Sequence, residues 1–401
     1  MHGPRRSLLL LPFAQGSHSR RAIAELYKQP LTTALTKLKS PDHSATLVIA
    51  VVGSFLRPPR GRAPAGFSWP YTQSVLAGFY SLAAYICAQQ SVITDTDGGP
   101  NSVDTQVMLI HDDHPPVSAY GDGFNGTVVR NFSDFARQQS TWHSIFHMKS
   151  PDGLLLAGLY ADHVKGGPNP GQNIIGLDCD TAAQHQRNTQ LPQERPASPS
   201  RQYKVVCLGG TFDHLHPGHK LLLAAGALLL NVPENHESPS RFVIGVTGDE
   251  MLKNKKFAEY VQPWDVRARG VLNYLHSFID HPMHAGPALT SQREGQLVGT
   301  FRGGRVVVEC VVFQDLYGPT ITIEDMDALV VSGETRSGGK AVNDKRKEQG
   351  WKELNVYEVD VLDARGIIDE DVEQAEDFGA KISSTAIRQQ KAEAGSPGGR
   401  L

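Results

Sequence analysis

Cysteine is scarce in this 401-residue chain: Cys87, Cys179, Cys207 and Cys310 stand far apart, with no CxxC pair. That spacing argues against a disulfide framework and a structural zinc site, and it fits a reducing compartment. Charge of one sign is lacking as well. The formal net charge is −3, so no global basic field points to nucleic acid as a partner. Long apolar runs are missing too. The run Leu47 to Val52 suits a buried strand and falls far short of the roughly 20 residues a membrane span needs. Arg5-Arg6 followed by Leu8 to Leu11 has the outline of a signal peptide, but Pro12 closes the apolar run after four leucines. That is too short for an h-region, and the run reads as a first core strand. The expected protein is intracellular and soluble, with neither nucleic acid nor membrane as a partner. The cytoplasm is the expected compartment. The nucleus and, because Arg20 and Arg21 precede any acidic residue before Glu25, the mitochondrion are alternatives.

What is present divides in two. Residues 181–202 are polar, proline-bearing and almost without large apolar side chains, the composition of a flexible linker. Residues 1–180 read as an α/β domain of unassigned role, with strands over Leu47–Val52 and Val107–Ile110 and a helix over Gln73–Gln89. His111-Asp112-Asp113-His114 tempts a metal reading, but a solvated strand end before Pro115-Pro116 is the simpler one, and no metal ligand is assigned. Residues 203–391 alternate apolar runs with amphipathic stretches. Strands are expected at Val205–Leu208, Phe242–Thr247, Val306–Phe313, Ala328–Ser332 and Val356–Val361, and helices at Lys220–Leu230, Asp265–Ile279 and Ala341–Gln349. This alternation predicts a doubly wound parallel sheet, whose ligands lie beyond the carboxyl ends of its strands. The segment from His281 to Gly304 reads as a loop insertion, and residues 392–401 as a disordered tail.

The chemistry-bearing stretch is Lys204 to Leu223, KVVCLGGTFDHLHPGHKLLL. A short apolar strand runs into Gly209-Gly210-Thr211-Phe212-Asp213, then His216-Pro217-Gly218-His219, then the apolar face of a helix. Glycines let the backbone approach a ligand, and the free N–H groups and dipole at a helix start favour phosphate. Two histidines sit beside that cradle. A second string, Lys381-Ile382-Ser383-Ser384-Thr385-Ala386-Ile387-Arg388, supplies helix-capping hydroxyls and an arginine. A third runs from Val330 through Ser332, Gly333, Arg336 and Gly339 to Lys340, then on through Asn343 to Arg346. It is not a P-loop: Glu334 stands where the first glycine belongs, and Ala341 replaces the magnesium-binding Ser or Thr.

Strand, glycine turn, HxGH and helix together resemble the HxGH nucleotidyltransferase superfamily, and GGTFDHLHPGHK is most similar to its eukaryotic, fungal-type phosphopantetheine adenylyltransferases. The third string resembles their VVSEETxxGGxxxNxxR segment, with Gly333 replacing the first glutamate. Gln314-Asp315-Leu316-Tyr317-Gly318-Pro319 resembles their DPYGP segment, with Leu316 in place of proline. The resemblance covers roughly residues 203–391 and implies a Rossmann-like domain joining ATP and 4′-phosphopantetheine to give dephospho-coenzyme A and pyrophosphate. It implies that His219 and His216 contact the α-phosphate, with Lys253 or Lys255 bridging the two substrates. Gly209, Gly210, Phe212, Gly218, Ser383, Ser384, Thr385 and Arg388 would hold ATP, the last four at its β and γ phosphates. Thr211, Ser332 and Arg336 would meet 4′-phosphopantetheine. Mg²⁺ is expected with ATP, held mostly by substrate and water. Animal homologues fuse this domain to a dephospho-coenzyme A kinase. Here the expected partners are such a kinase as a separate protein and other coenzyme A pathway enzymes. The alternatives are a nicotinamide-mononucleotide adenylyltransferase or a cytidylyltransferase on the same fold, and a non-catalytic scaffold.

Overall fold

The structure is a computed structural model and describes residues 5–13, 18–57, 66–94, 99–114, 125–137, 142–164, 173–180, 199–280, 288–363, 367 and 383–395. Most of the linker, Lys381, Ile382 and the last six residues lie outside these. Contacts divide the chain into two units. The first takes in Met1–Asn125, Val129–Ser200 and Leu362–Gly379; the second takes in Gly126–Val128, Arg201–Val361 and Ala380–Leu401. Neither is contiguous, a division that boundaries at 181 and 203 do not contain.

In the first unit, chain order is β1 (Arg5–Pro12), α1 (Arg20–Leu38), β2 (Ala45–Gly53), α2 (Trp69–Gln89), β3 (Val103–His111), β4 (Arg130–Asn131), α3 (Phe132–Arg137), β5 (Ser144–Met148), α4 (Pro151–His163) and β6 (Asn173–Leu177). The sheet order is β4-β3-β2-β1-β5-β6, with every pair parallel. Leu8 to Leu11 are fully buried because β1 is central, paired with β2 and β5. A strand covered on both faces reads as an unbroken apolar run, which is why four leucines resemble a truncated leader. The His111–His114 string is only partly a solvated strand end, with the Asp112 side chain 43% exposed. His111 is buried and its Nδ1 accepts from the Leu56 N–H at 3.3 Å. The Nε2 atoms of His114 and His163 approach to 2.9 Å, and the Asp113 carboxylate accepts from the Ser133 N–H and O–H.

The second unit carries β7 (Val205–Gly210), α5 (Pro217–Ala227), β8 (Ser240–Thr247), α6 (Trp264–Ile279), β9 (Ala288–Arg293), β10 (Gln296–Phe301), β11 (Val306–Phe313), β12 (Ala328–Ser332), α7 (Arg336–Glu348), β13 (Asn355–Val359) and α8 (Ser384–Gly395). Its sheet order is β13-β12-β7-β8-β11-β10-β9. The strands from β13 to β11 are parallel, and β10 is antiparallel to both neighbours. The chain winds outward from β7 through β8 to β11, then returns to β12 on the far side of β7. Such a reversal opens a crevice at the carboxyl ends of the strands, here between β7 and β12.

Three further expectations change. The segment from His281 to Gly304 is not a plain loop: Ala288–Phe301 forms the β9–β10 hairpin, which extends the sheet, with Gly295 supplying the left-handed turn residue (φ +71°). The tail reading fails for residues 392–395, which complete α8. The third helix starts at Arg336 rather than Ala341, so Gly338 and Gly339 lie inside it. A Cβ on Gly339 would stand 3.0 Å from Val356 Cγ1, so close packing of α7 on β13 outweighs the poor helix propensity of glycine.

Leu10→Ala in β1 removes a side chain with no exposed surface. The expected loss is about 2–5 kcal/mol, read as a lower urea midpoint for the first unit.

Candidate active site

At the carboxyl end of β7 the chain turns sharply. Phe212 (φ +53°) and His214 (φ +44°) are both left-handed, a conformation that costs non-glycine residues about 1–3 kcal/mol each unless the surroundings impose it. The Phe212 ring is buried beneath the turn. A Cβ on Gly210 would come within 2.9 Å of its Cζ, so only glycine fits there. The ring also lies 5.3 Å from that of His219. Phe212 is therefore a floor beneath the histidines, not an open surface for a nucleotide.

His216 caps α5: its Nδ1 accepts a hydrogen bond from the Gly218 N–H at 3.2 Å. An accepting Nδ1 carries no proton, so the neutral ring presents Nε2–H as a donor. One helical turn on, His219 stacks against it, with ring centroids 3.9 Å apart. The His219 Nδ1 is buried with no hydrogen-bond partner among the described residues. Both imidazoles keep a little exposed surface yet are enclosed by protein. That enclosure is the main reason His216 is pushed down to about 3, aided by the positive charge of Lys220 and by His214. Burial also takes His219 well below the ordinary range, with His216 and His214 adding to the effect. At neutral pH the pair is uncharged and offers hydrogen bonds in place of charge.

The turn is gripped by one carboxylate. Asp213 has no exposed surface. Its Oδ1 accepts from the Gln262 N–H (2.9 Å) and its Oδ2 from Arg388 Nη1 (2.6 Å), while its backbone carbonyl accepts from the Ser384 hydroxyl (2.9 Å). His214 donates its backbone N–H to Gln262 Oε1, and its Nε2 lies 2.8 Å from the Tyr260 carbonyl. A second buried cation, Arg267 of α6, donates to the carbonyls of Thr211, Thr247 and Gln262 and pairs with Asp249. Asp213, Gln262 and Arg267 are absent from the sequence-derived site. Asp213 stands within the quoted motif string, and Arg267 is a charge among apolar helix positions; those are the only local signals.

The remaining expected residues are placed unevenly. Arg388 is buried: Nε donates to the Lys256 carbonyl and Nη2 to Thr385 Oγ1, so its guanidinium serves the protein interior. Ser383 caps the first turn of α8 through the Ala386 N–H. Val330 pairs with Leu208, so Ser332 falls level with Gly210 across β7–β12, but its backbone N–H and hydroxyl are engaged with Thr335. Arg336 is exposed and paired with Glu358 on β13. Lys253 and Lys255 are exposed in the loop after β8, with Lys253 paired to Glu250. Two more members of the third string are structural. Asn343 exchanges hydrogen bonds with the backbone of Leu354, and buried Arg346 donates to the carbonyls of Thr320, Ile323, Glu324 and Lys352. Among the described residues, no three or more His, Cys, Asp or Glu side chains converge to hold a metal ion.

Unfolded histidine takes up a proton near 6.5, whereas folded His216 does so only near 3. Between these values the unfolded chain binds more protons, so the pair's contribution to stability is complete above about 6.5 and is lost as pH falls. Urea midpoints of the second unit should drop from pH 7 to pH 4.5, and His216→Asn, which keeps a capping oxygen, should flatten that slope.

Against known proteins, residues 1–177 match a domain of unknown function (DUF8446). The chain is similar to the phosphopantetheine adenylyltransferase of Saccharomyces cerevisiae, at 34% identity over 49% of this chain and 52% of the yeast protein. It is also similar to an uncharacterized protein of Schizosaccharomyces pombe, at 32% identity over 47% of this chain and 48% of the relative. The chain thus spans about half the length of these fungal relatives. The phosphopantetheine adenylyltransferase of Pyrococcus horikoshii is 30% identical over 47% of this chain and 90% of its own length. With the archaeal protein covered almost end to end, the chain belongs to the phosphopantetheine adenylyltransferase family.

Proposed function

We propose that the second unit transfers the adenylyl group of ATP to the phosphate of 4′-phosphopantetheine, releasing pyrophosphate and dephospho-coenzyme A. The observation that carries this reading is the neutral, stacked His216–His219 pair at the start of α5, level with the end of a glycine-terminated strand. An oxygen of the acceptor phosphate attacks the α-phosphorus of ATP. The bond from that phosphorus to the bridging oxygen breaks, and pyrophosphate leaves with the electron pair. The acceptor phosphate is already ionised near neutral pH, so no general base is required. Asp213 is committed to Arg388 and Gln262 and is not one. Alignment of two anions and stabilisation of charge supply the catalysis, with alignment worth up to about 7–11 kcal/mol.

His216 and His219 donate to the α-phosphate oxygens as charge builds there. Gly209, Gly210 and Gly218 let backbone come close to ATP. Thr211, whose carbonyl is fixed by Arg267, turns its hydroxyl toward the acceptor phosphate, and Lys253 or Lys255 bridges the two substrates. The backbone N–H groups opening α8, with Ser383 and Thr385, receive the leaving pyrophosphate. Ser332 lines the acceptor side by register, and Arg336 reaches it by leaving Glu358. Mg²⁺ would come with the nucleotide and would neutralise charge on its phosphates, and no side chain is assigned to hold it.

The test is pyrophosphate release by the purified chain with ATP and Mg²⁺ and each acceptor in turn. Release with 4′-phosphopantetheine, accompanied by dephospho-coenzyme A, is the expected result. Release only with nicotinamide mononucleotide, or only with CTP in place of ATP, overturns the substrate, and no release with any acceptor overturns the enzyme reading. His219→Ala should lower kcat by about 100-fold or more with an unchanged urea midpoint.

A further inference from the structure

The arginine of the closing motif is not where a phosphate ligand is expected. Its side chain is only 4% exposed, and that of its partner Asp213 is fully buried, with Nη1 and Oδ2 2.6 Å apart. The other two nitrogens are also engaged, Nε by the Lys256 carbonyl at 3.0 Å and Nη2 by Thr385 Oγ1 at 3.1 Å. One guanidinium thereby ties α8 to two places at once: the left-handed turn after β7 and the loop after β8 that carries Lys253 and Lys255. The Ser384 hydroxyl doubles the tie by donating to the Asp213 carbonyl, and Ile387 is buried beside it. A charge this enclosed is held by its partner, and removing either member leaves the other buried and unpaired.

We propose that Asp213 and Arg388 form a latch. They are positioning residues whose ion pair docks α8 on the glycine turn and sets the stacked histidines for transfer, and Arg388 acts through that latch rather than as a ligand of ATP. The idea rests on the adenylyltransferase reading only for its kinetic consequence; the docking of α8 can be tested without it.

The experiment uses the full chain and the variants Asp213→Asn, Arg388→Gln, the double variant and Arg388→Lys. Two quantities are measured: hydrogen exchange of the α8 amides with no ligand added, and kcat and the ATP KM in the pyrophosphate-release assay. The latch predicts that each neutralising variant lowers α8 protection at least about tenfold while β7 and β8 stay protected. It also predicts that kcat falls about 100-fold with less than about a threefold change in ATP KM. The double variant should be no worse than the worse single, because both remove one interaction. Arg388→Lys, which keeps the charge but not the fork, should fall between wild type and Arg388→Gln; it carries the test if the neutralising variants do not fold. The proposal is overturned if Asp213→Asn leaves α8 protection and kcat near wild type. It is equally overturned if Arg388→Gln or Arg388→Lys raises ATP KM tenfold or more with α8 still protected. Should wild type release no pyrophosphate with 4′-phosphopantetheine, the function reading fails alone, and the exchange result still decides the latch.

Discussion

A single buried carboxylate sets the geometry of the second unit. Asp213 joins segments 175 residues apart, and its neighbours on both sides, Phe212 and His214, take left-handed backbone that neither would adopt unaided. A buried ion pair is a poor source of net stability, since desolvation offsets most of its Coulombic gain. What it provides here is uniqueness of arrangement. The carboxylate accepts from a backbone amide and a guanidinium, and Gln262 and Arg267 fix the same turn through His214 and Thr211. With the Asp213 carboxylate, the His214 amide and the Thr211 carbonyl all partnered, the turn that leads into the histidines is held in one arrangement.

The same enclosure decides what those histidines can do. A pair of imidazolium ions at a 3.9 Å ring separation would repel, and burial removes the solvent that would screen them. Kept neutral, the rings become directed hydrogen-bond donors whose orientation comes from packing: Phe212 below, the Gly218 amide at the side and the α5 axis behind. Positive charge lies elsewhere, on the exposed Lys253 and Lys255 of the loop after β8, the first of them paired with Glu250.

Much of this is legible in the amino-acid sequence. The five parallel strands of the second unit are rich in apolar residues, and the glycine turn and HxGH string sit at the end of one of them, because local sequence dictates both strand burial and turn conformation. The arrangement around Asp213 is not legible there. Arg388 in sequence is one more cation near a capping motif, and only the tertiary pairing shows that it points inward. The β9–β10 hairpin escapes a sequence reading for a different reason. Gln296–Phe301 alternates half-buried and buried positions, a short period-2 signal that a polar insertion easily hides. The early start of α7 is hidden by its glycines, which read as loop until Val356 is seen against Gly339.

The first unit also bears on how the chain is put together. After β13 the backbone leaves the second unit: Asp363 donates its N–H to Ser81 Oγ at 3.2 Å, its carboxylate meets Arg20 at 3.4 Å, and Ile367 is buried. The 1–177 stretch that matches the domain of unknown function therefore omits residues that complete its own unit. In connectivity the two units are interleaved, each completed by chain that lies beyond a stretch of the other, unlike two beads on a string. No single cut yields both halves intact. During synthesis the first unit cannot close until the second unit's strands have all emerged, and the second waits in turn for α8, which is made after residues 362–379.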